Sequence, residues 1–348
     1  MNAILRAAQR LTTPLLPDDY LTLVDPLWSS TRIRARVVSL SRETPDTVTA
    51  HLRPSRHLPR RAGQYVRLGV DLDGVRHWRS YSISSAPDAA VVSITVKRID
   101  GGLVSTYLTR RLRPGDVVHL EAPQGDFVLP VDDRAAQVLL VGAGSGLTPI
   151  ISMLRDQRQH QTIGHATLVA IARSKQNLLF REELQMLARE CAWLDVRVFL
   201  TAETGRPDIA ALARAGSPER APQAWVCGPA DVLESAEHAW SEAGLRDRLT
   251  MERFHTPAFA EPGTGGTVTF TTTRRTVQLD GTTSILAAAE NAGILMPHGC
   301  RMGICHNCVL PKNSGRVQDL RDGRISGDTD DLVQTCVSTP VGDVEIDL

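Results

Sequence analysis

His298-Gly299-Cys300-Arg301-Met302-Gly303-Ile304-Cys305-His306-Asn307-Cys308 carries three cysteines in the spacing C-x4-C-x2-C, and a fourth, Cys336, lies downstream. That is the plant-type spacing for a [2Fe–2S] cluster. Four thiolates on two irons need three ligands on one tight loop and one brought in from elsewhere. Gly299 and Gly303 leave backbone N–H groups room to turn toward the sulfurs. The alternatives are a zinc site or disulfides. Zinc sites usually carry two separated C-x2-C-like pairs, whereas here three cysteines share one loop. A disulfide framework belongs to small secreted domains, whereas this chain has 348 residues and opens without a signal-peptide pattern. Cys300, Cys305, Cys308 and Cys336 are therefore expected to hold the cluster. Such a cluster carries one electron, so the rest of the chain should say where that electron comes from.

Around the cysteine loop, short strands (Val268–Thr272, Thr276–Leu279, Arg316–Asp319, Cys336–Ser338, Val344–Ile346) and one helix, Ile285–Asn291, predict a small α+β domain over residues 267–348. Residues 255–266 are rich in Pro and Gly, show no periodic pattern, and read as a linker. Before it, residues 133–254 alternate apolar strands with helices, the pattern of a parallel α/β sheet. The run Val138–Val141 leads into Gly142-Ala143-Gly144-Ser145-Gly146-Leu147-Thr148-Pro149. A glycine loop that follows the first strand and opens a helix is where the phosphates of a dinucleotide bind. Gly142, Gly144, Gly146 and Thr148 are its candidates, although the spacing is G-x-G-x-G and not G-x-G-x-x-G. No acid ends the second strand; Arg173-Ser174-Lys175 stands there. Cations at that place can hold the extra phosphate of NADP, so Arg173 and Lys175 favour NADPH, the alternative being that they only solvate a loop. Cys227-Gly228-Pro229 ends a later strand at its carboxyl end, where ligands bind in such sheets. Lone buried cysteines are more often core; this one is expected to play a modest role beside the nicotinamide, not to act as a nucleophile.

Residues 32–132 show short alternating strands punctuated by Pro45-Asp46, Asp73-Gly74 and Pro114-Gly115, the pattern of a small antiparallel β-barrel. One helix, roughly Val104 to Leu112, interrupts it. Two motifs on the barrel fit a flavin. In Arg79-Ser80-Tyr81-Ser82 the guanidinium can pair with phosphate, the Tyr81 ring can lie on the flavin and Ser82 can bond its reactive edge. In the second motif, Val96 and Lys97 end a strand and Gly101-Gly102-Leu103-Val104-Ser105 opens a helix toward a pyrophosphate.

Residues 1–31 form a leader in which Ile4, Leu5, Ala8 and Leu11 can share one helical face beside Arg6 and Arg10. A short helix packed on the next domain is the favoured reading; contact with a membrane surface or a partner is the other. Lys plus Arg equal Asp plus Glu at 39 each. With no basic block, nucleic acid is not expected as a partner. Thiols used as ligands point to a reducing compartment and a cytoplasmic protein. The longest apolar stretch, Val138 to Leu154, is broken by three glycines, Thr148 and Pro149 and reads as strand–turn–helix, not as a membrane span.

Taken together, these pieces resemble the ferredoxin–NADP reductase superfamily with a C-terminal plant-type ferredoxin domain. The resemblance covers almost everything after residue 31. It implies three domains: an antiparallel β-barrel for FAD (32–132), a parallel-sheet α/β domain for NAD(P) (133–254) and a β-grasp-like ferredoxin domain (267–348). It implies that Arg79, Ser80, Tyr81 and Ser82 bind the flavin and that Gly101, Gly102 and Ser105 bind its pyrophosphate. The Gly142 loop and Cys227, Gly228 and Pro229 would bind the pyridine nucleotide, and Glu252 and Phe254 would lie near the flavin. Ser82, Cys227 and Glu252 are the catalytic candidates. The Gly-Gly-x-x-Ser form looks like the FAD-using members and not the FMN-using ones. The leader T-T-P-L-L-P-D-D-Y-L with D-P-L-W-S, together with H-W-R-S-Y-S and G-C-R-M-G-I-C, resembles actinobacterial reductases that supply a membrane di-iron acyl desaturase. A flavin placed between a two-electron nucleotide and a one-electron cluster splits the pair. The ten histidines show neither H-x-x-E-H nor H-E-x-x-H spacing, so the substrate-oxidising centre is expected on another protein, an acyl desaturase or another oxygenase such as a ring hydroxylase or haem monooxygenase.

Overall fold

The computed structural model describes residues 23–29, 32–130, 133–213, 222–254, 263–298, 303, 306–321, 323–328 and 331–348. The leader helix expected over residues 4–11 lies outside them, as do Cys300 and Cys305. The chain divides into two compact units, Met1–Glu252 and Arg253–Leu348.

The first unit opens with six strands: β1 (Ile33–Thr44), β2 (Thr47–Pro54), β3 (Tyr65–Leu72), β4 (Val75–Ser82), β5 (Val92–Lys97) and β6 (Val117–Leu120). They form one antiparallel sheet in the order β4-β3-β6-β1-β2-β5. A bridge between Ile83 and Ile94 joins its two ends, so the sheet curls into a barrel. Inward residues such as Leu52, Val66, Leu68, Ile83 and Ile94 are fully buried and fill it. Strand β4 has no apolar alternation, and hydrophobic periodicity alone does not find it. Its register comes from β3 through a two-residue turn in which Asp73 and Gly74 both take left-handed backbone, the geometry of a tight hairpin. Helix α1 (Leu103–Arg110) packs its Val104 and Leu108 into the barrel core.

Five parallel strands follow: β7 (Asp133–Ala143), β8 (Ile163–Ala172), β9 (Leu194–Leu200), β10 (Gln223–Cys227) and β11 (Leu249–Glu252), in the order β11-β10-β7-β8-β9. Helix α2 (Leu147–His160) runs six residues past Leu154: buried Gln157 accepts through Oε1 from the Thr162 and Ile163 N–H groups, Arg158, Gln159 and His160 stay exposed, and Gln161 takes a left-handed cap. Helix α3 (Arg181–Glu190) begins only after a short apolar run. Leu178, Leu179 and Phe180 are buried ahead of the helix, and Phe180 has φ 55°, which helix geometry forbids. Short helices α4 (Thr201–Thr204) and α5 (Ile209–Ala213) and the longer α6 (Ala230–Glu242) complete the set. The chain reverses its direction of travel across the sheet at β7, with β8 on one side and β10 on the other. Brought together there, the carboxyl ends of β7 and β10 make the crevice where open α/β sheets bind ligands.

Barrel and sheet are joined within this unit by specific bonds. Arg155 on α2 donates Nη1 to the Ser84 carbonyl at 2.6 Å and pairs in bidentate fashion with Glu183 of α3 at 2.8 and 2.6 Å. Ser152 Oγ donates to the Ser85 carbonyl, and Trp225 Nε1 to the Val128 carbonyl.

The second unit holds β12 (Gly265–Phe270), β13 (Arg275–Leu279), α7 (Ile285–Asn291), β14 (Val309–Asp319), β15 (Asp331–Gln334) and β16 (Ser338–Ile346), in the order β13-β12-β16-β14-β15. Only β12 and β16 pair in parallel. Ser284 caps α7, its Oγ accepting from the Ala287 N–H. Two expectations need correction. Strand β12 begins at Gly265, inside the stretch read as linker, because its glycines fit where side chains cannot: a Cβ on Gly265 would meet the Leu279 carbonyl of β13, and one on Gly266 the Gly342 carbonyl of β16. Cys336 is not in a strand: it sits in a turn between β15 and β16, where Thr335 donates through its N–H and Oγ1 to the Cys308 carbonyl. Among the described residues no helix is long and apolar enough to cross a membrane.

Candidate functional site

Three groups of predicted residues converge in the first unit. Ser82 ends β4, Cys227 ends β10 and Glu252 ends β11, and Cys227 and Glu252 are neighbours in the parallel register. Burial pushes the Glu252 carboxyl up to about 8, with the Ser82 hydroxyl pulling the other way. Burial, and then the Glu252 charge, push the Cys227 thiol well up, so it stays protonated. Ser82 Oγ faces Glu252 closely enough to act on it, yet neither Ser82 Oγ nor Glu252 Oε2 makes a hydrogen bond of normal geometry. A hydroxyl, a thiol and a neutral carboxyl at one spot can donate or accept protons at the edge of a redox ring. Burial holds the carboxyl and the thiol toward their neutral forms, which need no counter-charge.

Farther along β4, Ser80 Oγ is also buried without a hydrogen-bond partner. Buried polar atoms are nearly always paired. Two orphaned hydroxyls on one strand fit a bound polar ring such as a flavin, which would supply acceptors. Tyr81 packs against the barrel core, and burial drives its phenol far above the ordinary range, with Arg79 opposing. Arg79 itself donates to the Trp78 carbonyl at 2.7 Å. In the second motif Val96 is buried and Lys97 is exposed beside Asp46. Gly102 caps α1, Ser105 Oγ accepts from the Ile99 N–H and donates to the Gly102 carbonyl, and Leu103 is half exposed. Ser105 therefore shapes the turn. A Cβ on Gly102 would come within 2.5 Å of that hydroxyl.

The nucleotide loop is a close fit of two turns. Gly144-Ser145-Gly146 makes one 3₁₀ turn that leads directly into α2. A Cβ on Gly146 would collide with the Cys227 carbonyl, and one on Gly228 would lie 2.8 Å from the Ala143 Cβ. Gly144, in left-handed backbone, has open space where its side chain would be. A cradle with bare backbone on one side and a helix N-terminus below suits a pyrophosphate. Thr148 Oγ1 donates to the Ser145 carbonyl and braces the turn, and Pro229 caps α6.

Arg173 and Lys175 stand one strand over, past the end of β8, and both are exposed. Lys175 lines a cleft of about 490 Å³ with Arg42 and Pro45 of the β1–β2 hairpin and with Phe180 and Arg181. Folding alone brings Arg42 and Arg181 to the same cleft, because no spacing ties a barrel hairpin to a loop of the α/β domain. Phe254 lies past the end of the first unit and belongs to the second.

In the second unit Cys308 and Cys336 are both buried and unbridged. The hydrogen bond with Cys336 draws the Cys308 thiol down to about 6, against the effect of burial. A thiol drawn toward its thiolate form beside a second buried cysteine is suited to ligate a metal, which fits an iron–sulfur centre. Gly303, on the cysteine loop, is held from outside. Its carbonyl accepts from Arg321 Nη1 at 3.0 Å and from Gln334 Nε2 at 3.3 Å.

Residues 35–129 match the oxidoreductase FAD-binding domain family, 140–238 the oxidoreductase NAD-binding domain family and 268–341 the 2Fe-2S iron–sulfur cluster binding domain family. The chain is 41% identical over 353 residues to an NADPH oxidoreductase of Mycobacterium tuberculosis, covering 100% of this chain and 92% of that protein. It is 28% identical to a glycine betaine monooxygenase reductase subunit of Pseudomonas aeruginosa, over 92% and 96% of the two chains. Its fold matches the solved structure of phthalate dioxygenase reductase with TM-score 0.66 at 22% identity, covering 91% of this chain and 98% of that one.

Proposed function

This chain belongs to the NAD(P)H oxidoreductases that join an FAD-binding, an NAD-binding and a 2Fe-2S ferredoxin domain, and from that premise we propose that it is the NADPH-dependent reductase of a membrane fatty-acyl desaturase of the stearoyl-CoA type. The observation that carries the reductase reading is the meeting of Ser82, Cys227 and Glu252 at the crevice between barrel and sheet. FAD held there would supply the link between a two-electron nucleotide donor and a one-electron [2Fe–2S] acceptor. The chain's own part is to place the two rings. Gly146 and Gly228 let the loop after β7 pack directly against the loop after β10, Gly144 leaves bare backbone open to a nucleotide, Ser80 and Ser82 offer hydroxyls to the flavin, and burial holds Glu252 toward its neutral form, so that it can keep a proton beside the ring. Cys300, Cys305, Cys308 and Cys336 are the proposed cluster ligands.

Two findings support NADPH: the cations Arg173 and Lys175 after β8, and the similarity to an NADPH oxidoreductase. The desaturase rests on the sequence stretches quoted above. Leu23, Val24 and Trp28, all exposed in the last part of the leader, offer an apolar surface for peripheral contact with a membrane or a membrane-bound acceptor. The similarity to a monooxygenase reductase subunit favours a second reading, in which the acceptor is a soluble hydroxylase or haem monooxygenase.

Anaerobic titration with NADPH and with NADH, followed by absorbance and low-temperature EPR, tests the electron route. Growth of a rhombic one-electron signal after flavin bleaching is expected, with NADPH effective at lower concentration. Replacing Arg173 and Lys175 by alanine should cut the NADPH preference about five- to ten-fold. Reconstitution with the acyl desaturases and the soluble oxygenases of the source cell separates the two acceptors. NADPH oxidation coupled to desaturation supports the first, and coupling only to a soluble oxygenase overturns it.

A further inference from the structure

Gly303 and His306 both take left-handed backbone, with φ 72° and 56°. They stand two residues before and one residue after Cys305. For His306, which is not glycine, this conformation is uncommon and needs support from its surroundings. One small polar assembly from outside the loop supplies that support to both residues. Arg321 donates Nη1 to the Gly303 carbonyl, and Gln334 Nε2 contacts both that carbonyl and His306 Nδ1, the latter at 2.8 Å. Arg321 and Gln334 are themselves joined at 3.2 Å. Asp319 fixes the guanidinium with three contacts of 2.6 to 3.2 Å, and its carboxylate also accepts from the Arg321 N–H. A Cβ on Gly303 would come within 2.5 Å of Arg321 Nη1 and 2.9 Å of Val337 Cγ1. The glycine is required by its own φ, and a side chain there would also displace the guanidinium from its place.

We propose that Arg321, oriented by Asp319 and coupled to Gln334, is a positioning residue for the iron–sulfur loop: its guanidinium holds the Gly303 carbonyl directly and the His306 ring through Gln334, and it places a compensated positive charge near the cluster. The inference rests on the reading of Cys305, Cys308 and Cys336 as cluster ligands. Three properties of the site make the assignment. The planar fork of an arginine can serve a carbonyl, a carboxylate and an amide at once, which lysine cannot. The assembly is half buried, with side-chain exposures of 35% for Arg321 and 20% for Asp319, so its charges are only partly screened. Groups just outside a metal's own ligands orient those ligands and tune the metal.

The test uses the full-length, cluster-loaded protein and the variants R321Q, R321K and D319N. Redox titration followed by EPR measures the cluster's midpoint potential, and absorbance in the presence of a chelator measures cluster release. R321Q removes a positive charge and should lower the potential. D319N leaves that charge uncompensated and should raise it. R321K keeps the charge and loses the fork, so its potential should stay near wild type. R321Q and R321K should both release the cluster about ten-fold faster. Potentials that move the same way in R321Q and D319N, or release rates equal to wild type, overturn the proposal. Should R321Q fail to load a cluster, R321K and Q334L carry the release comparison, with the same wild-type rate as the overturning result. A wild-type protein that holds no cluster under the same loading would instead remove the cysteine assignment on which the inference rests. Flavin content of each sample reports whether the first unit is intact.

Discussion

The two units prepare for their cofactors in opposite ways. At the crevice of the first unit the polar atoms are left unsatisfied: Ser80 Oγ, Ser82 Oγ and Glu252 Oε2 are buried without normal hydrogen bonds. On the cysteine loop of the second, the Gly303 carbonyl already has two donors, and Arg321, Asp319 and Gln334 are bonded to one another. The difference follows from the kind of group each site receives. A flavin or a nicotinamide brings its own donors and acceptors, so hydroxyls and backbone can wait for it. A cluster ligated by thiolates offers only sulfur to hydrogen bonding, so the protein must satisfy and rigidify its own loop.

The contrast is broken most sharply at the cysteines. C308S or C336S should abolish the cluster EPR signal and the reduction of one-electron protein acceptors, while NADPH still bleaches the flavin. Loss of flavin bleaching in these variants would mean that the two sites do not work separately. Next in size is G146V. Its side chain meets the Cys227 carbonyl, so the nucleotide loop must move, and kcat/KM for NADPH should fall about 100-fold with the cluster spectrum unchanged. A fall of less than about three-fold would place the nucleotide elsewhere.

The smallest expected effect is at Glu252, whose carboxyl is pushed up to about 8 by burial. A carboxyl with a raised folded pKa binds more protons folded than unfolded between its ordinary value and about pH 8, so its contribution to stability falls as pH rises through that window. E252Q should lose this dependence and gain about 1–3 kcal/mol over wild type near pH 8, measurable as a smaller drop in Tm from pH 5 to pH 8. If the neutral carboxyl also serves flavin reduction, the wild-type rate declines above about pH 8 and E252Q flattens the profile. Identical pH profiles for Tm in the two proteins would show that the carboxyl is ionised in the folded state.

Much of this was legible before the structure, and the reason is local. The cysteine spacing, the glycine loop after an apolar strand and Cys227-Gly228-Pro229 are short stretches whose chemistry is written in adjacent residues. Strand β4 was not legible as a strand, because Arg76, His77, Arg79 and Ser80 give it no apolar period and only its hairpin partner β3 sets its place. Arg42 and Arg181 in the cleft with Lys175, and Arg155 between Ser84 and Glu183, were equally hidden, since each acts across a long stretch of chain.

By itself the sequence determined the order of the three domains and the cofactor classes, because spacing along a chain dictates what one loop or one helix turn can hold. Only the tertiary structure decided that Glu252 stays neutral beside a protonated Cys227, that Gly146 is required by a carbonyl 81 positions away (227 minus 146), and that Arg321 and Gln334 reach back to the cysteine loop. Burial and close approach belong to pairs of residues that folding brings together, and no local pattern encodes them.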